Sequence, residues 1–335
     1  MKSKADINLE VTLYTREDCS LCHIAEDDLA DLQKEVPHTL VVVDIDDDPD
    51  LQALYGHKVP VIIAGSFTLA APFDKRKLRM TLGAAYDSQL RQMEDGSEKF
   101  AKRQERKNTM NTGDKLSHFI SNHYLKVVNI ILLIYFGLPF LAPVLMKVGL
   151  QNAAQPIYTM YKVSCHELAF RSWFLFGEQA AYPRASAQLE GLVTYGEATG
   201  NSEDDLLTAR NFKGNEQMGY KVAFCQRDIA IYVAMFTFGI IFSLTNRKIK
   251  GLPFLLWVIV GILPIALDGG SQLLSQAFSF IPYRESTPLL RTITGALFGF
   301  TTAWFGFPVL EETMNDTRQM LSAKRARVLS KPSQD

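Results

Sequence analysis

Cys19 and Cys22 stand three positions apart, after the β-like run Val11-Thr12-Leu13-Tyr14 and ahead of a helical pattern. Cysteines at this spacing serve either as half of a zinc site or as a dithiol that cycles with a disulfide. A closed zinc site takes four ligands, and no second ligand pair stands nearby. A redox dithiol needs its first thiol at a helix N-terminus, where unpaired N–H groups and the helix dipole stabilise the thiolate. A strand, a turn carrying Cys19 and then a helix supply that setting. Cys19, the more N-terminal of the two, reads as the nucleophile and Cys22 as the buried resolving thiol. His23 reads as a solvated neighbour, and Asp18 opposes thiolate formation slightly.

A second set of reactive residue types lies further along. Cys165-His166-Glu167 opens a short apolar stretch that carries Arg171 and Ser172. Cys225-Gln226-Arg227-Asp228 precedes a long apolar run, with Cys225, Asp228 and Tyr232 on one helix face. Asp268-Gly269-Gly270-Ser271-Gln272 follows another run, with Asp268 and Gln272 on one face, and Arg291 begins the last. Three chemistries fit this set. Cys165 and Cys225 form a structural disulfide beside an ion network of Arg171, Arg227, Asp228 and Asp268. Alternatively, Cys165, His166 and Cys225 bind zinc, with Asp228 or Asp268 as a further ligand. Or the two thiols are a redox pair that receives or passes electrons.

The elements that position these residues divide the chain in two. Over 335 residues the formal charge is −1, which gives no basis for nucleic-acid binding. The first residues, Met1 to Asp6, contain no apolar h-region, so no cleavable signal peptide is expected. Residues 9–90 predict the order βαβαββα. Leu21, Ile24, Ala25, Leu29 and Leu32 mark the buried face of the first helix. Leu40 to Val43 reads as a central parallel strand covered on both faces. Val59-Pro60-Val61-Ile62-Ile63 is the third strand, and a basic helix from Asp74 closes the domain.

Residues 91–126 read as a basic linker or helix, with Lys99, Lys102, Arg103, Arg106, Lys107, Lys115 and Lys126. Residues 127–312 predict a membrane domain with spans near 127–146, 229–244, 252–267 and 292–310. The first is long enough to cross a hydrocarbon core. Leu168 to Phe176 is too short to span and predicts an interfacial or re-entrant helix. Gly191 to Met218 reads as an exposed excursion, and 313–335 as a basic cytoplasmic tail. The fold expected is an α/β domain followed by an all-α membrane bundle. Placing the basic clusters inside puts both termini in the cytoplasm of a multi-pass membrane protein. Cys19/Cys22 and Cys165/Cys225 then face opposite sides.

The Cys-x-x-Cys after strand one, the acidic turn Asp44 to Asp48 and Val59-Pro60-Val61 resemble the thioredoxin fold, in particular short bacterial glutaredoxin-like proteins. The resemblance implies a cis peptide bond before Pro60, which offers backbone groups to substrate beside the dithiol. It also implies a protein or small-molecule disulfide as substrate and glutathione or a thioredoxin-type thiol as donor. Ser20-Leu21 stands where glutaredoxins usually carry Pro-Tyr. The strings around Cys165, Cys225 and Asp268 resemble an uncharacterised prokaryotic polytopic membrane family, domain of unknown function 2085, over residues 125–312. Two functions follow as expectations. One is a membrane-anchored thiol-disulfide oxidoreductase. The other is a metal-, ion- or small-molecule-handling membrane protein with a regulatory thioredoxin-like domain. Lipid is the partner implied in both.

Overall fold

The computed structural model describes residues 9–94, 109–278, 280 and 282–329. The expectations for the chain's first residues and for Lys99, Lys102, Arg103, Arg106 and Lys107 lie outside these. The described residues fall into two compact units, one drawn from Met1–Asn122 and Thr313–Asp335, the other from His123–Glu312.

In the first unit β1 (Leu9–Thr15) runs parallel to β2 (His38–Asp44), while β3 (Val61–Ala64) and β4 (Phe67–Ala70) follow antiparallel. The sheet order is β2-β1-β3-β4. Helices α1 (Ser20–Leu32), α2 (Pro49–Tyr55) and α3 (Lys75–Glu94) complete the expected βαβαββα order. Leu9, Val11 and Leu13 pack against Ala25, Leu29, Leu32, Leu78 and Leu82, burying one sheet face under α1 and α3.

Two expectations need correction. The strand at 38–44 is the parallel edge strand rather than a central one, and Val42 is 38% exposed on it. Leu21 and Ile24 are 54% and 57% exposed, because the buried face of α1 is Cys22, Ala25, Leu29 and Leu32.

The opposite sheet face presents Tyr14, Val41, Val43 and Val61. It is covered by Leu51 of α2 and by Ala323 and Ala326 from the far end of the chain. Arg327 Nε donates to Tyr14 Oη at 3.1 Å and Ser322 Oγ to Asp50 Oδ2 at 3.2 Å. Lys324 pairs with Asp114 at 2.6 Å. The described part of the expected tail is therefore helix with a packed apolar face.

Among the described residues, four helices are long and apolar enough to cross a membrane: α4 (Thr112–Lys147), α8 (Gln226–Leu244), α9 (Phe254–Ala277) and α10 (Pro288–Leu329). Each contains most or all of one expected span and runs past it. The second half of the expected linker is the start of α4, and Asp268 to Gln272 lie within α9 rather than after it. Helix α5 (Gln151–Tyr161) buries Ala154, Ile157, Tyr158 and Tyr161 along one face.

The second unit also carries a three-stranded antiparallel sheet, ordered β5-β7-β6, among its helices. Its strands are β5 (Ser172–Leu175), β6 (Gly214–Asn215) and β7 (Gly219–Cys225). The stretch expected as a short helix at 168–176 is one 3-10 turn, Ala169–Arg171, followed by β5. Burial in β5 alternates, with Ser172 and Phe174 inward, a strand period hidden because the outward residues Trp173 and Leu175 are apolar too. Where β5 meets β7, Gly219 has φ +76, and a Cβ there would lie 2.2 Å from the Leu175 carbonyl oxygen. Glycine is the residue that fits. The expected exposed excursion is also folded. It holds α6 (Tyr195–Thr199) and α7 (Leu206–Asn211), with Tyr195, Ala209 and Met218 buried against Phe170, Phe174 and Tyr182.

Candidate functional site

Cys19 is the N-cap of α1. The Cys22 N–H donates to Cys19 Sγ at 3.2 Å, so one of the unpaired amides of the first turn is aimed at this sulfur. Cys19 and Cys22 are joined as a disulfide, with Cα atoms 5.2 Å apart. Cys22 is 1% exposed and Cys19 is half-buried, so Cys19 is the sulfur within reach of a partner. The Val59–Pro60 peptide bond is cis, and Pro60 is buried. Val61 pairs with Tyr14, which puts Pro60 at the end of the sheet where β1 leads into the Cys19 turn. His23 is exposed.

In the second unit, Cys165 follows α5, held by its N–H to the Tyr161 carbonyl at 2.9 Å. Cys225 ends β7 and is the N-cap of α8. Its side chain makes no capping bond to the helix backbone. Instead Cys225 Sγ donates to Asp228 Oδ2 at 2.8 Å. Cys165 Sγ, Cys225 Sγ and an Asp228 oxygen all lie within 4.8 Å of one another. Both thiols are free. The hydrogen bond to Cys165, burial and the Asp228 charge push the Cys225 thiol well above the usual range.

His166 is exposed and lies outside this group, so the zinc set expected from sequence changes: Asp228 stands where His166 was placed. Tyr232 shares the helix with Asp228, but its ring packs on Tyr135 at 4.7 Å and Phe224 at 5.9 Å.

The ion network has two carboxylate centres, and the sequence indicated one of them. Asp268 takes Arg227 Nη2 at 2.5 Å, Arg284 Nη2 at 3.2 Å and Ser286 Oγ at 2.8 Å. Glu285 takes Arg171 through two bonds of 3.0 and 3.1 Å, Tyr283 Oη at 2.7 Å and Gln272 Nε2 at 2.6 Å. Arg291 also pairs with Glu285, and Arg184 Nη1 lies 3.8 Å from it. Burial works to raise the Glu285 carboxyl, but hydrogen bonds and charge from Arg171, Tyr283 and Arg291 outweigh it and hold the group below its ordinary value. Asp228, expected in this network, belongs with the thiols. Ser172 has a backbone role: its hydroxyl donates to the Leu168 carbonyl at 3.1 Å, and its own carbonyl accepts from Gln226 at 3.0 Å.

Glu285, Arg184, Tyr283, Arg284 and Ser286 were missed from sequence. The run Tyr283-Arg284-Glu285-Ser286, polar residues between two apolar spans, was the available signal. Nearby, Lys221 is fully buried and donates to the backbone carbonyls of Glu167 and Arg210 at 2.7 and 2.8 Å. Burial pushes the Glu167 carboxyl up and the Lys221 ammonium down, each opposed by the charge of the other.

Residues 10–126 match a family model described as a glutaredoxin-like domain, domain of unknown function 836. Residues 211–305 match a family described as predicted membrane proteins, domain of unknown function 2085. The two resemblances read from the motifs are thus both present in one chain. An uncharacterised protein of Methanocaldococcus jannaschii is 27% identical over 198 residues, covering 56% of this chain and 94% of that protein. No solved structure matches the chain.

Proposed function

We propose that the chain is a membrane-anchored thiol-disulfide oxidoreductase whose working group is the Cys19–Cys22 dithiol. The observation that carries this reading is the Cys22 N–H aimed at Cys19 Sγ from the first turn of α1. The same amide and the helix dipole stabilise a thiolate at Cys19 once the disulfide is reduced. The match of this region to a glutaredoxin-like domain supports it.

The Cys19 thiolate attacks one sulfur of a substrate disulfide, forming a mixed disulfide and expelling one substrate thiolate. Cys22, deprotonated, attacks Cys19 Sγ, closes the Cys19–Cys22 disulfide and releases the second substrate thiolate. Two electrons pass to the substrate, and glutathione or a thioredoxin-type dithiol returns them. Pro60, at the same sheet end, offers backbone groups to the incoming chain. Leu21 and Ile24, both more than half exposed beside Cys19, favour a protein or peptide disulfide over a small polar one.

The four apolar helices support a lipid environment for the chain. In the reading adopted here that lipid is a cell membrane with both termini on the cytoplasmic side. Lys126, Arg247, Lys248, Lys250 and Lys324 are the positive charges that support this orientation.

The test is reduction of a peptide mixed disulfide by the purified full chain in detergent, with glutathione and a thioredoxin-type dithiol tried as donors. Cys19→Ser is expected to abolish turnover, and Cys22→Ser to accumulate the mixed disulfide on Cys19. Undiminished turnover by Cys19→Ser would remove the dithiol from the mechanism.

A further inference from the structure

The geometry points to a second site. We propose that Cys165, Cys225 and Asp228 are three ligands of a zinc-class transition-metal ion, with a fourth coordination position left open. It is independent of the Cys19–Cys22 reaction.

The three groups come from separate elements: the segment after α5, the last residue of β7 and the first turn of α8. Two segments distant in sequence, the one after α5 and the β7–α8 junction, nevertheless bring two sulfurs and a carboxylate oxygen within 4.8 Å of one another. Metal–sulfur distances of about 2.3 Å and metal–oxygen distances of about 2.0–2.2 Å space tetrahedral ligand atoms roughly 3.5–3.8 Å apart, so the group closes on an ion once the Cys225–Asp228 hydrogen bond opens. Thiolate and carboxylate together suit zinc among the common divalent ions.

The competing chemistries fit this arrangement less well. A Cys165–Cys225 disulfide takes the proton from Cys225, and with it the 2.8 Å hydrogen bond that Asp228 now accepts. A half-buried carboxylate would lose that donor. A nucleophilic thiolate at Cys225 would stand next to a negative oxygen at the same distance, which opposes charge on the sulfur. A cation between the sulfur and the oxygen removes the conflict, because both groups then favour the same charge. With both thiols deprotonated, the three ligands carry three negative charges against two on the metal. Lys221 lies within electrostatic range of Cys165, and Arg291 within range of Cys225, so positive charge is at hand to offset the excess.

The surroundings are those of a shielded centre. Cys165 and Cys225 pack with Tyr158, Tyr161, Phe224 and Tyr232. Tyr161 is itself fixed, donating from its hydroxyl to the Tyr135 carbonyl at 2.6 Å. Such a cluster restricts water and holds ligand-bearing backbone in place. Three protein ligands with an open fourth position describe a site where an ion can meet water or a further ligand, rather than a closed structural centre.

The experiment uses the full chain in detergent with Cys19→Ser and Cys22→Ser, so that the other cysteine pair takes no metal. The chain is reduced, stripped with chelator, desalted, and given Zn2+ or Co2+ alone. One equivalent of zinc retained after desalting is expected, together with thiolate-to-cobalt charge-transfer absorption in the cobalt form. Cys225→Ser and Asp228→Asn are expected to lose the retained ion, while His166→Ala keeps it. The cobalt spectrum needs no substitution at the site, so it reads the proposal even if a ligand variant misfolds. Three results would overturn the proposal: no retained ion and no charge-transfer band, equal retention by Cys225→Ser, or a Cys165–Cys225 disulfide in the chain as purified. None of them bears on turnover at Cys19.

Discussion

Cys19 and Cys225 occupy the same position on their helices, and their chemistry diverges at one residue. Each is an N-cap. Three positions on, α1 places Cys22 and α8 places Asp228. At Cys19 the helix gives its sulfur a backbone N–H at 3.2 Å. At Cys225 the sulfur gives its own proton to a carboxylate at 2.8 Å. A helix N-terminus by itself therefore does not make a reactive thiol. Whether the first turn offers a donor or an acceptor decides whether negative charge on sulfur is favoured. The regions differ in support as well. The Cys19 turn is held near the surface, with Arg16–Asp46 at 3.1 Å as its local ion pair. The polar network around Arg227 and Arg291 is buried around Glu285 and Asp268.

The largest effect expected from this contrast is on stability. Glu285→Ala removes the acceptor for Arg171 and Arg291 while leaving Arg291 buried. Loss of one partner of a buried pair costs about 3–5 kcal/mol. Thermal unfolding of the full chain in detergent reads it, and a shift equivalent to less than about 1 kcal/mol would place the network with ordinary surface pairs. The same carboxylate predicts a pH dependence. Its value in the folded chain is lowered, so its contribution is fully present above the unfolded value and is lost as pH falls through the folded value. Unfolding temperature is therefore expected to drop on acidification below the ordinary carboxylate range, and Glu285→Gln is expected to flatten that dependence.

A smaller effect isolates the residue at the third helical position. In the reduced, metal-free chain, Asp228→Asn removes the charge opposing a thiolate at Cys225. Alkylation of Cys225 at neutral pH is expected to rise, because the Asp228 charge and hydrogen bond are among the causes that raise that thiol. No change would mean that Cys165 and burial, not Asp228, govern that thiol. Smallest of all is Arg16→Ala. Its pair with Asp46 is solvent-exposed, and its loss is expected to cost under about 1 kcal/mol, with Cys19 alkylation unchanged.

Much of the first unit was legible because its signals are local. The dithiol, the βαβαββα order and the proline before β3 each follow from a few neighbouring residues. Leu21 and Ile24 were misplaced because they repeat at helical spacing one position off the buried face, which is Cys22, Ala25, Leu29 and Leu32. In the second unit the spans were legible from apolar length and the polar residues from their rarity among them. The strand β5 was not, because Ser172 to Leu175 lies in a run that is apolar on both faces. Nor was Glu285, which lies in a loop without periodicity and whose partner Arg171 is 114 residues away. The docking of Ala323 and Ala326 under the β-sheet was equally hidden, since Arg327 and Tyr14 are 313 residues apart. Long-range pairing of this kind leaves no spacing to read.

The central claim is that two helix-capping cysteines are tuned in opposite directions, one for exchange and one for binding. Site-resolved alkylation of the reduced, metal-free full chain tests it most directly, with the rate at each cysteine followed by peptide mass mapping at neutral pH. The account predicts that Cys19 reacts fastest and that Cys225 and Cys165 react slowest. A Cys225 rate equal to or above that of Cys19 would contradict it.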